Sequence, residues 1–168
     1  MSRASGAPWL YAIGLGSNRR HHRHGSPPEV LRAAAGAMVS RGLEVERLSQ
    51  IIASAPLGPA ERRFANAAAL IRSPLAPPDL LALLKHIERD FGRRAGRRWG
   101  DRVLDLDILW WSGGTWRSRA LAIPHRELAR RSFALAPLNQ IAPRASLGPA
   151  LQVTHFHHRL ATRRPRRG

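Results

Sequence analysis

The chain has 168 residues, 43% of them hydrophobic, which is enough for one folded domain with a sizeable core. Cysteine is absent, which excludes disulfides and thiolate metal sites, and no apolar run approaches the roughly 18 residues of a membrane span. The formal net charge is +17, carried by arginine except for one lysine, Lys85, and a balance of this kind points to a polyanionic partner.

Part of that charge sits in a loop at 19–24 and a tail at 163–167, and an arginine bias runs through the whole chain. A small polyphosphate therefore fits better than a nucleic acid. The N-terminal MSRASGAPWLYAIGLGSN has no apolar core ending in a cleavage site, so no signal peptide is expected and a cytoplasmic location is.

In chain order, residues 8–15 read as a strand ended by Gly16-Ser17-Asn18. A basic loop follows at 19–25, whose histidines (21–24, HHRH) lack the spacing that converges on one ion and read as solvated. Ser26, Pro27 and Glu29 start a helix as cap, first helical residue and capping box; Val30, Leu31, Ala34, Ala37 and Met38 give its apolar face, and Gly42 ends it. Residues 43–53 read as one strand with a bulge, 54–63 as a loop fixed by Pro56, Gly58 and Pro59, and 64–72 as a partner strand. A second helix opens at Pro77-Pro78-Asp79, repeats Leu80, Leu83, Leu84, Ile87 and Phe91 at helical spacing, and stops at Gly92. A basic loop at 93–101 leads into a strand at 102–111, a Gly113-Gly114 turn, a short strand at 120–123 and a helical region from Pro124 to Ile141. The rest is weakly patterned: His155, His157 and His158 read as solvated loop, and 161–168 as a basic disordered tail behind a single domain of 1–160.

The order predicts an α+β fold with a ferredoxin-like β-α-β-β-α-β core, C-terminal additions, and helices packed on a mainly antiparallel sheet. That plan hosts enzymes and RNA-binding modules alike. An RNA-binding module would need exposed aromatics on its central strands, in a K/R-G-F/Y pattern that the sequence lacks.

Residues 98–108, RWGDRVLDLDI, carry the most chemistry. Leu104, Leu106 and Ile108 should face a core, so Asp105 and Asp107 share the opposite face. Two carboxylates side by side repel unless a cation or proton sits between them. Arg97, Arg98 and Arg102 lie close in sequence. Mg²⁺ takes one or two carboxylates and completes its shell with phosphate oxygens and water, while arginine grips phosphate bidentately. The pattern suits a metal-bound polyphosphate; the plainer alternative is a set of surface salt bridges. Trp99-Gly100 supplies a loop able to close over a ligand.

Several pieces together resemble the hydroxymethyldihydropterin pyrophosphokinase family of folate biosynthesis: IGLGSN (13–18), APLGP (55–59), FANAA (64–68), IERDFGR (87–93), RWGDRVLDLDI (98–108) and IPHRELARRSFALAPLNQIAP (123–143). The resemblance implies transfer of pyrophosphate from ATP to 6-hydroxymethyl-7,8-dihydropterin, with AMP leaving. It implies that Asp105 and Asp107 hold two Mg²⁺ ions, and that Arg98, Arg102 and Arg93 or Arg94 contact the phosphates. Lys85, Trp99, Ile108, His125 and Arg131 fall at ATP-binding positions. Phe64 and Phe133 would sandwich the pterin ring, Asn66 would bond its edge, and Ala55, Leu57 and Trp99 would complete the pocket. The 93–98 loop is one residue shorter than usual for the family. Arg126 stands where Tyr is frequent, Lys85 where Gln is common, Ala55 in place of Pro, Phe64 in place of a frequent Tyr, and Ala122 where a hydroxyl residue is common. Retained Asp105, Asp107 and His125 argue for an enzyme over a nucleotide-binding relative without activity. A monomer acting on small molecules, with no membrane partner, is expected.

Overall fold

A computed structural model describes residues 7–55, 62–92, 102–148 and 151–162. Its centre is β1 (Trp9–Ser17), whose period-two pattern sends Tyr11, Ile13 and Leu15 into one core and leaves Gly14 and Gly16 on the other face. Two long strands flank it, both antiparallel: β4 (Phe64–Ser73) on one side and β5 (Asp105–Trp111) on the other.

The single strand expected over 43–53 is two short ones, β2 (Glu44–Leu48) and β3 (Ile52–Ser54), each paired antiparallel with β4. The expected bulge is present between Val45 and Arg47. The break has a local cause. Buried Ser49 donates its N–H to Ala68 O (2.8 Å) and accepts the Ala68 N–H on its hydroxyl (2.9 Å), so a side chain takes over one place in the ladder. The strand order is β2-β4-β1-β5, with β3 also on β4.

Two helices cover the face that carries Tyr11, Ile13 and Leu15. α1 (Pro27–Ser40) buries Val30, Leu31, Ala34 and Met38, and the Glu29 carboxylate accepts the Ser26 N–H at 2.6 Å as the capping box requires. α2 (Pro77–Asp90) buries Leu80, Leu84 and Ile87, each at most 1% exposed, and each worth about 1.5–3 kcal/mol of apolar burial. Gly42 and Gly92, just past these helices, have φ of +83° and +86°, the left-handed conformation expected of a helix stop.

The C-terminal part is more ordered than its sequence pattern suggested. After β5 come a short hairpin, β6 (Trp116–Arg117) with β7 (Ala122–Ile123), a 3-10 turn at Leu128–Arg130 and α3 (Ser132–Ile141). A second hairpin, β8 (Ser146–Gly148) with β9 (Leu151–Gln152), leads into α4 (Val153–Ala161). His155, His157 and His158 therefore lie on a helix, not a loop, and α4 ends at Ala161. Leu128, Leu135, Leu138, Ile141 and Val153 pack with Ala12, Ala68, Leu70 and Leu109 as a second, smaller core on the opposite side of the sheet. That layer covers only part of the face, and the uncovered part is the cleft.

The 19–25 loop is also less solvated than expected. The rings of His21 and His24 stack at 4.7 Å, and His24 stacks on Phe91 at 4.7 Å. His21 Nδ1 accepts the N–H groups of Arg23 and His24 at 3.1 Å each. No helix among the described residues is long and apolar enough to cross a membrane.

Candidate active site

Register builds the floor of the cleft. Gly16 of β1 lies opposite Asn66 of β4 and Asp105 of β5; Gly14 lies opposite Ala68 and Asp107. The two glycines keep the floor flat between the Asn66 amide and the carboxylates. A Cβ on Gly14 would come within 3.2 Å of the Leu109 side chain, whereas one on Gly16 would stand 3.6 Å from Asn66 Oδ1.

The resulting cavity has a volume of about 540 Å³, within the roughly 300–1,000 Å³ of small-molecule sites. Lys85, Arg102, Asp105, Asp107, His125 and Arg131 line one part, and Phe64, Asn66 and Phe133 another. Nine of the residues singled out from the sequence thus converge on one space. Gly14, Gly16, Ser54 and Leu128 also line it and were not singled out.

Each polar wall has a structural support. Asn18, buried, accepts the Arg102 N–H on Oδ1 (2.7 Å) and donates its own N–H to Arg102 O (3.1 Å), fixing the chain just ahead of β5. Arg102 Nη1 then donates to Asp105 Oδ2 at 3.0 Å. The plainer salt-bridge alternative is thus present at Asp105, but inside the cleft and not on an open surface. Asn66 donates from Nδ2 to Ser54 Oγ at 2.7 Å, which orients the amide and leaves Oδ1 as an acceptor above Gly16.

His125 is placed by a bulge. The β1–β5 register shifts between Ala12 and Ile13, leaving Leu109 as an extra residue, and Leu109 O accepts the His125 N–H at 3.0 Å. His125 Nδ1 accepts the Glu127 N–H at 3.3 Å. Burial holds the imidazole below its ordinary pKa, against the opposing pull of Asp107. A neutral ring that accepts at Nδ1 carries its proton on Nε2, so His125 offers the cleft a donor. Arg131 sits in extended conformation between the 3-10 turn and α3, with its guanidinium 5.8 Å from the Phe133 ring centre.

Asp107 sits in an environment that disfavours its charge. Burial first, then the charge of Asp105, pushes its carboxyl pKa up, while Lys85, His125 and Arg131 pull it down. Such a group gains from a bound cation. Among the described residues no set of three or more His, Asp or Glu could hold a metal. Two same-face carboxylates are nevertheless what Mg²⁺ uses when phosphate and water fill the rest of its shell, so Asp105 and Asp107 fit that ion.

Some expectations land elsewhere. Ile108 does not line the cleft: its side chain is 1% exposed and belongs to the core beneath the sheet, because it alternates with Asp107. Ala55 is exposed and also outside the cleft. Arg93, Arg94, Arg97, Arg98, Trp99 and Leu57 lie outside the described residues. Glu88 was missed. It is fully buried and accepts the Leu106 N–H at 2.7 Å and Lys85 Nζ at 2.8 Å; burial raises its pKa, opposed by Lys85 and by the Leu106 hydrogen bond. A signal existed: Glu88 follows Leu84 by four residues, so the apolar stripe of α2 carries it inward.

Residues 12–143 match the family model of 7,8-dihydro-6-hydroxymethylpterin-pyrophosphokinase (HPPK). Relatives named 2-amino-4-hydroxy-6-hydroxymethyldihydropteridine pyrophosphokinase include one from Haemophilus influenzae, 39% identical over 132 residues (77% of this chain, 79% of that one), and one from Synechocystis, 39% identical over 111 residues. The Synechocystis match covers 66% of this chain and 57% of that protein. The folate synthesis bifunctional protein of Arabidopsis thaliana is 41% identical over 149 residues, which cover 86% of this chain but only 25% of that one. In fold, the chain resembles the HPPK-DHPS of Plasmodium falciparum with a TM-score of 0.68 at 11% identity, over 91% of this chain and 44% of that one. Matching sequence along residues 12–143, and relatives close to 40% identical over most of the chain, place this protein in the 7,8-dihydro-6-hydroxymethylpterin-pyrophosphokinase family.

Proposed function

We propose that this chain transfers the β,γ-pyrophosphate of ATP to the hydroxymethyl group of 6-hydroxymethyl-7,8-dihydropterin and releases AMP. The observation that carries this reading is the division of one cleft into a carboxylate and cation end and an aromatic and amide end. A transfer between a polyphosphate and a flat heterocycle needs both within one space. The order β1-α1-β2-β3-β4-α2-β5, in which β2 and β3 share one side of β4, together with the strand sequence β2-β4-β1-β5, supports reading the frame as ferredoxin-like.

Phosphoryl chemistry depends mainly on positioning and charge. Phe64 and Phe133 would flank the pterin ring, and Asn66 Oδ1 would accept from its amino edge. Arg102, Arg131, Lys85 and the His125 Nε2–H would take phosphate oxygens, and Ile108 would contribute only through its backbone. Asp105 and Asp107 would hold two Mg²⁺ ions, which supply neutralisation of phosphate charge when bound. No general base is assigned: the pterin oxygen bonds to the β-phosphorus as the bond to the AMP oxygen breaks, and the hydroxyl proton leaves to solvent. The reading suits a cytoplasmic monomer acting on small molecules.

The test is AMP release followed with each component omitted in turn. AMP should appear only with ATP, Mg²⁺ and hydroxymethyldihydropterin together. ADP as the product, or AMP formed without pterin, would refute the reading.

A further inference from the structure

The chain has one lysine among 28 basic residues, and its ammonium lies in the cleft. Lys85 Nζ donates to Glu88 Oε1 (2.8 Å) and to Leu106 O (3.1 Å), and it stands 3.9 Å from Asp107 Oδ1. Glu88, with no exposed surface, also accepts the Leu106 N–H at 2.7 Å. Leu106 is the residue between Asp105 and Asp107. The ammonium is thus docked on the stretch of β5 that displays the two carboxylates, and its counter-charge comes from beneath the sheet. Two of its three N–H groups are engaged there, and the side chain keeps 33% of its surface, so it still reaches the cleft.

This arrangement differs from an ordinary helix-surface ion pair. Glu88 gains no water contact, so its charge has to be met within the protein, and Lys85 and Leu106 both contribute. Lys85, in turn, cannot swing away from Asp107 without giving up its 2.8 Å bond to Glu88. The result is a fixed positive charge next to one carboxylate of the pair.

Resting on the reading of the cleft as an ATP-dependent site, we propose that Lys85 is a built-in cation that shares Asp107 with the divalent ion, so that ATP binding is partly independent of metal, and that Glu88 is the positioning residue that holds it there. Lys85 limits how tightly a divalent ion binds Asp107 before nucleotide arrives. When ATP enters, the ammonium turns its remaining donor to a phosphate oxygen, and Asp107 becomes available to the ion that ATP brings. Glu88 sets the balance. Its charge draws the ammonium beneath the sheet, toward α2, and away from a full ion pair with Asp107.

The test uses the whole chain and two variants. Lys85→Gln/Glu88→Gln replaces the ion pair by two neutral amides of similar shape, which avoids leaving a buried carboxylate alone. Glu88→Gln keeps the ammonium and removes its counter-charge. Mn²⁺ binding is measured without nucleotide by electron paramagnetic resonance, and ATP binding is measured in EDTA by calorimetry. The double variant should bind Mn²⁺ about tenfold more tightly and metal-free ATP at least about tenfold more weakly, because a unit charge 3.9 Å from a carboxylate is removed. Glu88→Gln should bind Mn²⁺ more weakly than wild type, since the released ammonium moves onto Asp107. Opposite signs for the two variants separate this role from a merely structural one. Equal Mn²⁺ affinity in all three proteins, shifts of the same sign, or unchanged metal-free ATP binding in the double variant overturns the proposal. If wild type fails to bind MgATP at all, the reading of the site falls instead, and the Mn²⁺ comparison without nucleotide still stands.

Discussion

Replacing Gly16 by Ala isolates the floor of the cleft from the fold that carries it. A Cβ at Gly16 meets only Asn66 Oδ1, at 3.6 Å, which is ordinary van der Waals contact. No backbone atom obstructs it, and Gly16 is not among the glycines with positive φ. Loss of glycine from a strand interior should therefore stabilise the protein by about 0.5–1 kcal/mol. The same methyl rises from the floor between Asn66 and Asp105, where a ring held by Phe64 and Phe133 would lie. Forcing an extra methyl into a filled space costs about 1–3 kcal/mol, or tenfold or more in a binding constant near the middle of that range. The variant should melt higher and bind pterin more weakly. Thermal unfolding gives the first quantity, and calorimetric titration with hydroxymethyldihydropterin under a saturating non-hydrolysable MgATP analogue gives the second. Pterin affinity within about twofold of wild type would show that the ring does not rest on this floor. A lower melting temperature would refute the packing argument on its own.

Three further outcomes follow from the same geometry. Asn66→Ala should raise the pterin dissociation constant at least about tenfold, since an unpaired buried polar edge costs about 1–3 kcal/mol, and Phe64→Ala should act likewise; separate titrations that show equal loss of MgATP would place both residues in the core instead. Asp107→Asn should leave under about a tenth of the wild-type rate, yet stabilise the ligand-free protein at neutral pH. The sign comes from the raised pKa: a folded state that prefers protonated Asp107 is relatively stable below the ordinary Asp range and loses that advantage as pH rises through the folded value, whereas Asn mimics the protonated form throughout. Unfolding curves at neutral pH and near pH 3 should show a gap that closes in acid, and a destabilised variant at neutral pH would contradict this. The same substitution should lower the His125 pKa further, because Asp107 is the main influence raising it; imidazole resonances titrated by NMR decide the direction.

The parts of this molecule legible in the sequence are those where period and burial agree. Leu104, Leu106 and Ile108 alternate with Asp105 and Asp107, and the structure puts the first set in the core and the second in the cleft. The α2 stripe is equally plain, and Glu88, four residues after Leu84, lies on it as well. Residue 109 was not legible: Ile108 and Leu109 are both apolar and both buried, on opposite sides of the sheet, and a run of apolar residues looks the same with or without a bulge. The meaning of Gly14 and Gly16 depends on which residues β4 and β5 bring alongside, which no local pattern encodes. Residues 146–161 escaped for a different reason. Their strands are two or three residues long, and their helix carries three histidines, so neither period accumulates enough repeats to stand out.

The bulge makes this site sensitive to counting. Up to Leu109, odd-numbered positions of β5 face the cleft side; beyond it Trp110 joins the smaller core and Trp111 the larger one, against Tyr11 at 5.7 Å and Trp9 at 5.4 Å. Removing Leu109 would restore unbroken alternation and leave both tryptophans on their present faces, since Trp110 already pairs with Ala12 and Ile108 with Ile13. It would, however, withdraw the carbonyl on which His125 docks. Trimming Leu109 to Val keeps the residue count and should cost about 1 kcal/mol or so, as one lost methylene does. Deleting it should take a buried side chain from the smaller core and loosen the phosphate end of the cleft at once. In a lineage of this chain, β5 can therefore drift in side-chain size at 109 far more freely than in length.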